Sequence, residues 1–155
     1  MRRQSGFSLI ELVIVIVVLG ILAALAVPRF ISLQREARIA VIDSLFNSVR
    51  SGSNIIYAKS AAIGESDNAT DSVDIDGTGP GGAIGTNFGY PQAEQADLGL
   101  LFDNLSLRYN FTGGGAAGGS TVSIRLDGIT TCSVTYVSPN AAGISPTITR
   151  DITGC

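Results

Sequence analysis

Residues 7–27 read FSLIELVIVIVVLGILAALAV, a long apolar segment from which the architecture of the chain can be inferred. Apart from Ser8, Glu11 and Gly20, every residue in it is apolar. As an α-helix it would span about 32 Å, enough to cross a bilayer core of about 30 Å. The sequence therefore predicts a hydrophobic helix over 7–27 that lies in a membrane or in the core of an assembly.

Glu11 is the residue that an ordinary membrane helix does not explain. A carboxylate at membrane depth costs about 2.5–3.5 kcal/mol. Arg2 and Arg3 precede the apolar stretch, so the positive-inside rule predicts a cytoplasmic amino terminus. A cleaved secretory signal, with Ala24-Leu25-Ala26 as its cleavage site, and a plain membrane anchor are two interpretations of the segment. Neither of them accounts for Glu11.

The run Gly6-Phe7-Ser8-Leu9-Ile10-Glu11, after a short basic leader, resembles the processing site of type IV prepilins and the related pseudopilins, and the resemblance continues to Pro28. It implies that residues 1–6 are a leader peptide and that a membrane-embedded prepilin peptidase cleaves between Gly6 and Phe7. It also implies that the same enzyme methylates the new amino group of Phe7, while the apolar helix stays on the mature chain.

This processing gives Glu11 a partner. Cleavage would create an α-amine on Phe7, whose reference pKa is near 8. Glu11 lies four residues further on, one helical turn along the same face. A buried charge is tolerated when an opposite charge pairs with it. We therefore expect the Glu11 carboxylate of one subunit to meet the Phe7 amine of a neighbour, which makes Glu11 an assembly residue.

Gly20 and Pro28 are the predicted helix-breaking positions. Small residues between them allow close helix approach. Pro28 lacks a backbone donor and blocks a carbonyl, so the helix is expected to kink or open locally. An ordinary proline kink and an unwound segment in the filament, as in related pili, both remain open at this point.

Residues 28–63 are predicted to continue as an amphipathic helix, with Gly64 as its stop. The apolar positions that fall on one arc of a helical wheel are Phe30, Ala37, Val41, Leu45, Val49 and Ile56. Charged residues, Glu36, Asp43 and Arg50 among them, fall on another arc. This arc is interpreted as a solvated face, with pairing between subunits as the alternative. The sequence thus predicts a long helix whose second half is half-buried against a head.

Residues 64–155 are predicted to form that head. Apolar and polar residues alternate over 105–112, 121–128 and 132–139, and a last strand is expected over 147–153. Short glycine-containing connections favour an antiparallel sheet of three or four strands, with one face on the amphipathic helix. The expected class is α+β, and the resemblance implies the type IV pilin fold.

Two loop motifs in the head are weak candidates for binding. GTGPGG at 77–82 has no preceding strand and no lysine in the place that a phosphate loop requires. Asp74-Ile75-Asp76-Gly77 resembles part of a calcium loop, but Ser72 and Ala83 occupy its two end positions, so a turn between short strands is favoured. We expect no metal and no cofactor.

Cys132 and Cys155 are the only cysteines. If the head is exported, an even cysteine count predicts a disulfide, worth about 3 kcal/mol, that fixes the carboxyl terminus to the sheet; two reduced thiols are the alternative. A carboxyl-terminal disulfide is also a hallmark of type IV pilins. Gly89-Tyr90-Pro91, the CSVTY run at 132–136 and the terminal Thr153-Gly154-Cys155 most resemble pilins of the mannose-sensitive haemagglutinin (MSHA) type.

The composition does not favour an enzyme. The chain has no histidine, no Cys–His pair and no nucleophile motif, so a membrane-tethered enzyme or receptor domain has nothing positive to support it. Its formal net charge of −3 gives no basic surface for nucleic acid.

The sequence therefore predicts a structural subunit of an MSHA-type pilus that mediates surface attachment. The resemblance implies a homo-oligomeric helical filament, built by a prepilin peptidase and a pilus assembly machinery. The prepilin would lie in the bacterial inner membrane with its amino terminus cytoplasmic and its head periplasmic, and then in an extracellular pilus. A pseudopilin of a type II secretion system is the alternative. The cysteine pair and the weak calcium motif favour the pilin, because the major pseudopilin typically has a calcium site and lacks this disulfide.

Overall fold

The computed structural model describes residues 7–75, 77, 82–101 and 109–155, without the side chains of Pro28 and Ile31. Helix α1 extends over Leu9–Ile63. Gly64 follows it with φ 82°, a left-handed conformation that glycine adopts without strain. The helix is assigned without interruption through Gly20 and Pro28, so a break at these residues stays a prediction for the assembled state.

Contacts divide the chain into two compact units, residues 1–37 and 38–155. In the described part of the first unit the chain is helical from Leu9 onward. The second unit contains the remainder of α1, two β-sheets and a short helix. The finer predicted division, with boundaries after residues 6, 27 and 63, stays a prediction.

The larger sheet has four antiparallel strands in sequential order, which is the meander that the alternating pattern predicts. Its strands are β4 (Tyr109–Gly113), β5 (Thr121–Leu126), β6 (Ser133–Val137) and β7 (Thr147–Asp151). The first half of the predicted strand 105–112 lies outside the described residues. Val122 pairs with Tyr136 and Ile124 with Val134, so the apolar residues of the two central strands share one face.

The smaller sheet is built from the glycine-rich and aspartate-rich segment, where the sequence predicts loops with a short hairpin. It has three antiparallel strands, β1 (Asp71–Asp74), β2 (Ala83–Asn87) and β3 (Tyr90–Pro91). Helix α2 (Gln95–Leu100) follows β3 and was not predicted. The Asp74 carboxylate accepts a hydrogen bond from the Gly77 backbone N–H at 2.8 Å, which is the turn chemistry preferred above for this motif.

The main core lies between α1 and the four-stranded sheet. Ile42, Leu45 and Val49 of α1 belong to one buried cluster with the inward-facing residues of β5 and β6. Because these side chains are nearly fully buried, each contributes about 1.5–3 kcal/mol of hydrophobic free energy. The prediction that one sheet face packs on the amphipathic helix is confirmed.

The predicted apolar arc of α1 needs two corrections. Ile42, which the helical wheel did not select, is fully buried, while its neighbour Val41 is only half-buried. Phe30 is 64% exposed and lies in the first unit, outside the core of the head. The face of α1 that packs on the sheet is therefore shifted by one residue from the predicted arc, and it begins after Phe30.

Cys132 and Cys155 form the predicted disulfide. Both residues are buried in the main core cluster. The Gly154 backbone N–H donates to the Thr131 carbonyl at 2.9 Å, so the last residues are fixed to the start of β6 by a covalent bond and a hydrogen bond. The long amino-terminal helix, the antiparallel sheets and this disulfide fit the α+β type IV pilin fold.

Candidate assembly site at the amino-terminal helix

The first turn of α1 is closed by a reciprocal pair of side chains, Ser8 and Glu11. The Ser8 backbone N–H and the Ser8 hydroxyl both donate to Glu11 Oε2, each at 2.8 Å. The Glu11 backbone N–H in turn donates to Ser8 Oγ at 3.3 Å. Since α1 begins at Leu9, Ser8 is the N-cap and Glu11 is the third helical residue, and the two form a capping box.

The capping box is a second physical reason for a glutamate at position 11, in addition to the predicted pairing with Phe7. The sequence signal was present, because Ser8-Leu9-Ile10-Glu11 has the S-x-x-E spacing before an apolar run. The carboxylate also lies where the helix dipole favours a negative charge. Ser8 is therefore a site residue in its own right, because it holds the Glu11 carboxylate at the amino-terminal end of the helix.

The surface of this helix is apolar and has no cover within its unit. Phe7 is 88% exposed, Leu9 80% and Leu25 70%. Among the described residues, α1 is the one helix that is long and apolar enough to cross a membrane.

Gly20 adds a local gap to this surface. A Cβ built on Gly20 would meet no atom within 4 Å. The position is thus open on the isolated helix, and an approaching helix could come close to the backbone there.

The predicted site residues have the following positions. Phe7 and Glu11 lie at the exposed start of the apolar helix, and Gly6 lies outside the described residues. Pro28 is helical, but its side chain is not described. Cys132 and Cys155 are joined in the second unit. Their roles in cleavage, methylation and assembly stay predictions.

Two ionisable groups of the head, Asp97 and Tyr136, have raised pKa values. Burial raises the pKa of Asp97, although its carboxylate accepts a hydrogen bond from the Gly85 N–H at 2.7 Å. Burial also raises the pKa of Tyr136, whose hydroxyl donates to the Pro91 carbonyl at 2.7 Å. Within the described ranges, no group of three or more His, Cys, Asp and Glu side chains could hold a metal ion.

Comparison with known protein families matches residues 1–27 to the prokaryotic N-terminal methylation motif. This match covers the predicted leader, the predicted cleavage site and the apolar segment as far as Val27. It agrees with the resemblance drawn from Gly6 to Glu11, and it leaves the head unassigned.

Among curated proteins, the chain is 48% identical over 61 residues to the type IV narrow pilus major component PilA5 of Thermus thermophilus, covering 39% of this chain and 53% of that protein. It is 55% identical over 40 residues to the type II secretion system core protein G of Pseudomonas aeruginosa, covering 26% and 28% of the two chains. A fimbrial protein of Moraxella nonliquefaciens is 38% identical over 77 residues, covering 48% and 49%.

The chain thus spans about half the length, or less, of these curated relatives. No solved structure matches it. The relatives are pilins and pseudopilins, which are structural proteins, and no catalytic family is indicated. The MSHA group is not among the subgroups that these similarities identify.

Proposed function

We propose that this chain is the structural subunit of a type IV pilus, of the MSHA type, which polymerises after leader cleavage and mediates attachment to surfaces. The observation that carries the proposal is an exposed apolar helix with one carboxylate in its first turn, within the stretch that matches the methylation motif. Such a helix exposes far more apolar surface than a soluble monomer tolerates, so lipid or neighbouring copies must cover it.

In this proposal the helix has two successive environments. Before assembly it holds the subunit in the inner membrane, with the amino terminus in the cytoplasm and the head in the periplasm. A prepilin peptidase cleaves the Gly6–Phe7 bond, and Phe7 is methylated. After assembly the same apolar surface forms the filament core, where Glu11 of one copy pairs with the Phe7 amine of another.

The disulfide is the observation that supports the pilus over the secretion system. Cys132 and Cys155 close the carboxyl-terminal region, a feature that the resemblance associates with pilins. A pseudopilin of a type II secretion system is the second candidate, supported by the similarity to core protein G. Imaging of the cell surface separates the two, since a pilus extends from the cell and a secretion filament does not.

Three variants of the full chain test the role of Glu11, because the capping box requires hydrogen-bonding groups whereas the pairing requires a negative charge. Glu11→Ala removes the cap and the charge. Glu11→Gln keeps an oxygen that can accept from the Ser8 N–H but removes the charge. Ser8→Ala keeps the charge and removes the hydroxyl of the cap. Filaments sheared from cells are quantified, and mass spectrometry of the subunit reports its amino terminus and methylation.

If pairing drives assembly, Glu11→Ala and Glu11→Gln both lose most filaments while cleavage at Gly6 continues, and Ser8→Ala retains them. If Glu11 acts only through the capping box, Glu11→Gln assembles normally and the pairing role is wrong. Surface filaments whose subunits begin anywhere other than Phe7 would overturn the proposal as a whole.

A further inference from the structure

The head has a groove of about 360 Å³ between α1 and the segment that leads into β7. From the helix it is lined by Phe46, Arg50, Ser53 and Asn54, and from the other side by Ser145, Pro146 and Ile148. All seven residues belong to the second unit. Apolar groups thus form part of its walls. The Arg50 guanidinium and the Asn54 amide are available to a ligand, whereas the serine hydroxyls already form hydrogen bonds within the head.

Arg50 is the group that gives this groove its chemistry. Its side chain is exposed, and within the described part of the chain it forms no hydrogen bond and no ion pair. Arg150, close by, differs because it pairs with Asp43 and lies over the Phe46 ring. A guanidinium presents several N–H donors in a plane that matches a carboxylate, so the natural partner of Arg50 is a carboxylate.

The head itself carries carboxylates in excess, and they are concentrated in one part of it. No lysine or arginine occurs between Lys59 and Arg108, while the same stretch contains eight acidic residues. Directly after α1, the turn over residues 65–71 (called the acidic turn) contains Glu65, Asp67 and Asp71. Asp67 is exposed, and its side chain forms no hydrogen bond or ion pair within the described part of the chain.

Arg50 and the acidic turn do not pair within one subunit, because no ion pair joins them among the described residues. Ser66 of the turn lies near Tyr57 and Ser60 of α1, about two helical turns or more beyond Arg50. The two groups are therefore separate, complementary patches on one head. A contact between two different patches of identical subunits is heterologous, and such contacts produce open, helical filaments when the rotation does not close a ring.

We propose that the groove receives the acidic turn of a second copy of this chain, with Arg50 paired to Asp67. This inference rests on the proposed function, because it names the head surfaces by which subunits of the filament recognise each other. It adds a polar, directional contact to the apolar packing of the helices. Such a contact would select orientation more than it would add affinity.

Charge reversal in the full chain tests the pairing. Arg50→Glu and Asp67→Arg each place like charges together, and each is expected to lower the yield of sheared filaments about tenfold. The double variant restores opposite charges and should recover most of the yield. Lys59→Glu is the matched control, because it reverses an exposed charge on α1 outside the groove and should stay within about twofold of the wild type.

Immunoblots of the membrane fraction under non-reducing conditions confirm that each variant is made and has its disulfide. With that established, normal filament yield in either single variant would overturn the inference. A double variant as poor as the single ones would overturn it too. If the groove instead binds a small carboxylate ligand or a foreign protein, assembly does not depend on Arg50, and the single variants would give a normal filament yield.

A second measurement locates the contact directly. Asn54→Cys is combined with Ala69→Cys in one chain, because Ala69 is exposed in the acidic turn and its replacement keeps Asp67. A short bismaleimide applied to intact filaments should then give a ladder of cross-linked subunits, and neither single cysteine should give one. Filaments without a ladder overturn the groove contact and leave the proposed function standing. A wild-type chain that forms no filament at all overturns the proposed function instead, so the two failures are distinguishable.

Discussion

Arg150 on β7 forms an ion pair with Asp43 on α1, and its guanidinium lies 5.7 Å from the centroid of the Phe46 ring. The two partners are 107 residues apart in sequence. This contact joins the last strand of the sheet to the helix that the sheet covers. Their side chains are 42% and 38% exposed, so water and salt screen the attraction.

The first prediction concerns this ion pair. Asp43→Asn should lower the free energy of unfolding by less than about 1 kcal/mol, because partly exposed pairs contribute little. The difference from the wild type should shrink further at high ionic strength. Thermal unfolding of the full chain in detergent, at low salt and at 1 M salt, measures both effects. A loss that is large and independent of salt would contradict this interpretation.

A larger effect is predicted for the disulfide. Replacing both cysteines, Cys132→Ser with Cys155→Ser, should cost about 3 kcal/mol of stability, because the unfolded chain is no longer closed into a loop. Both positions are buried, so the two hydroxyls add a desolvation cost. Chemical unfolding in detergent with and without a reductant provides the comparison. Reductant should destabilise the wild type and leave the double variant unchanged.

Gly154, next to Cys155, is predicted to tolerate no side chain. A Cβ on Gly154 would collide with Thr131 Oγ1 and lie 2.9 Å from Thr131 Cβ. Gly154→Ala should therefore destabilise the head by about 1–3 kcal/mol, as overpacking does. Gly99→Ala is the matched control, since Gly99 is helical and a Cβ there meets nothing within 4 Å. Equal melting temperatures for the two variants would contradict the steric argument.

The hydroxyl of Tyr136 carries another prediction. It is buried and donates to the Pro91 carbonyl at 2.7 Å, which links β6 to β3. Tyr136→Phe keeps the ring and leaves that carbonyl without its donor, at a cost of about 1–3 kcal/mol. Tyr90→Phe is a suitable control, because the Tyr90 hydroxyl makes a longer contact, 3.4 Å, with Ser145 Oγ. The Tyr136 variant should melt clearly lower than the Tyr90 variant.

Much of this architecture follows from sequence patterns that extend over many residues. The apolar run and the helical periodicity that follows it predict α1, and strict alternation predicts the strands of the larger sheet. The core stripe of α1 was harder to locate, because Ser53 and Ser60 occupy two of its fully buried positions. Ser53 satisfies its hydroxyl by donating to the Val49 carbonyl at 2.7 Å, which a hydropathy pattern does not show.

The short elements could not be predicted because their own sequences do not determine them. Strand β3 has two residues, and α2 has six, so neither has a period to detect. The turn between β2 and β3 places Phe88 at φ 49°, a conformation that bulky residues disfavour. The Phe88 N–H donates to the Asn68 carbonyl at 2.8 Å, so tertiary contacts hold the turn against local preference.

The candidate assembly site, too, could be predicted from the sequence only in part. Glu11 was identified from its cost in lipid, whereas Ser8 was overlooked even though the S-x-x-E spacing is local. The Arg50 groove was not visible in the sequence at all. It depends on bringing 145–148 next to α1, which only the tertiary structure specifies.

The last prediction is a pH dependence that originates at Asp97. Burial raises the pKa of this carboxyl above its ordinary value of 3.8, so in the folded state it holds its proton to higher pH than in the unfolded state. Between the two pKa values the folded state binds more protons, and stability must therefore fall as pH rises through that window. Asp97→Asn should remove this fall while keeping an oxygen that can accept the Gly85 N–H.

Asp71 provides the control of opposite sign. Hydrogen bonds from Asn68 and from the Ser72 N–H lower its pKa, so its contribution is present at higher pH and is lost on acidification. The free energy of unfolding of the full chain is measured in detergent at several pH values, from the ordinary aspartate pKa up to neutrality. As pH rises, it should decline less steeply for Asp97→Asn than for the wild type. Asp71→Asn should instead weaken the chain mainly at the upper end of that range. An Asp97→Asn profile parallel to that of the wild type would show that the buried carboxyl does not set the slope.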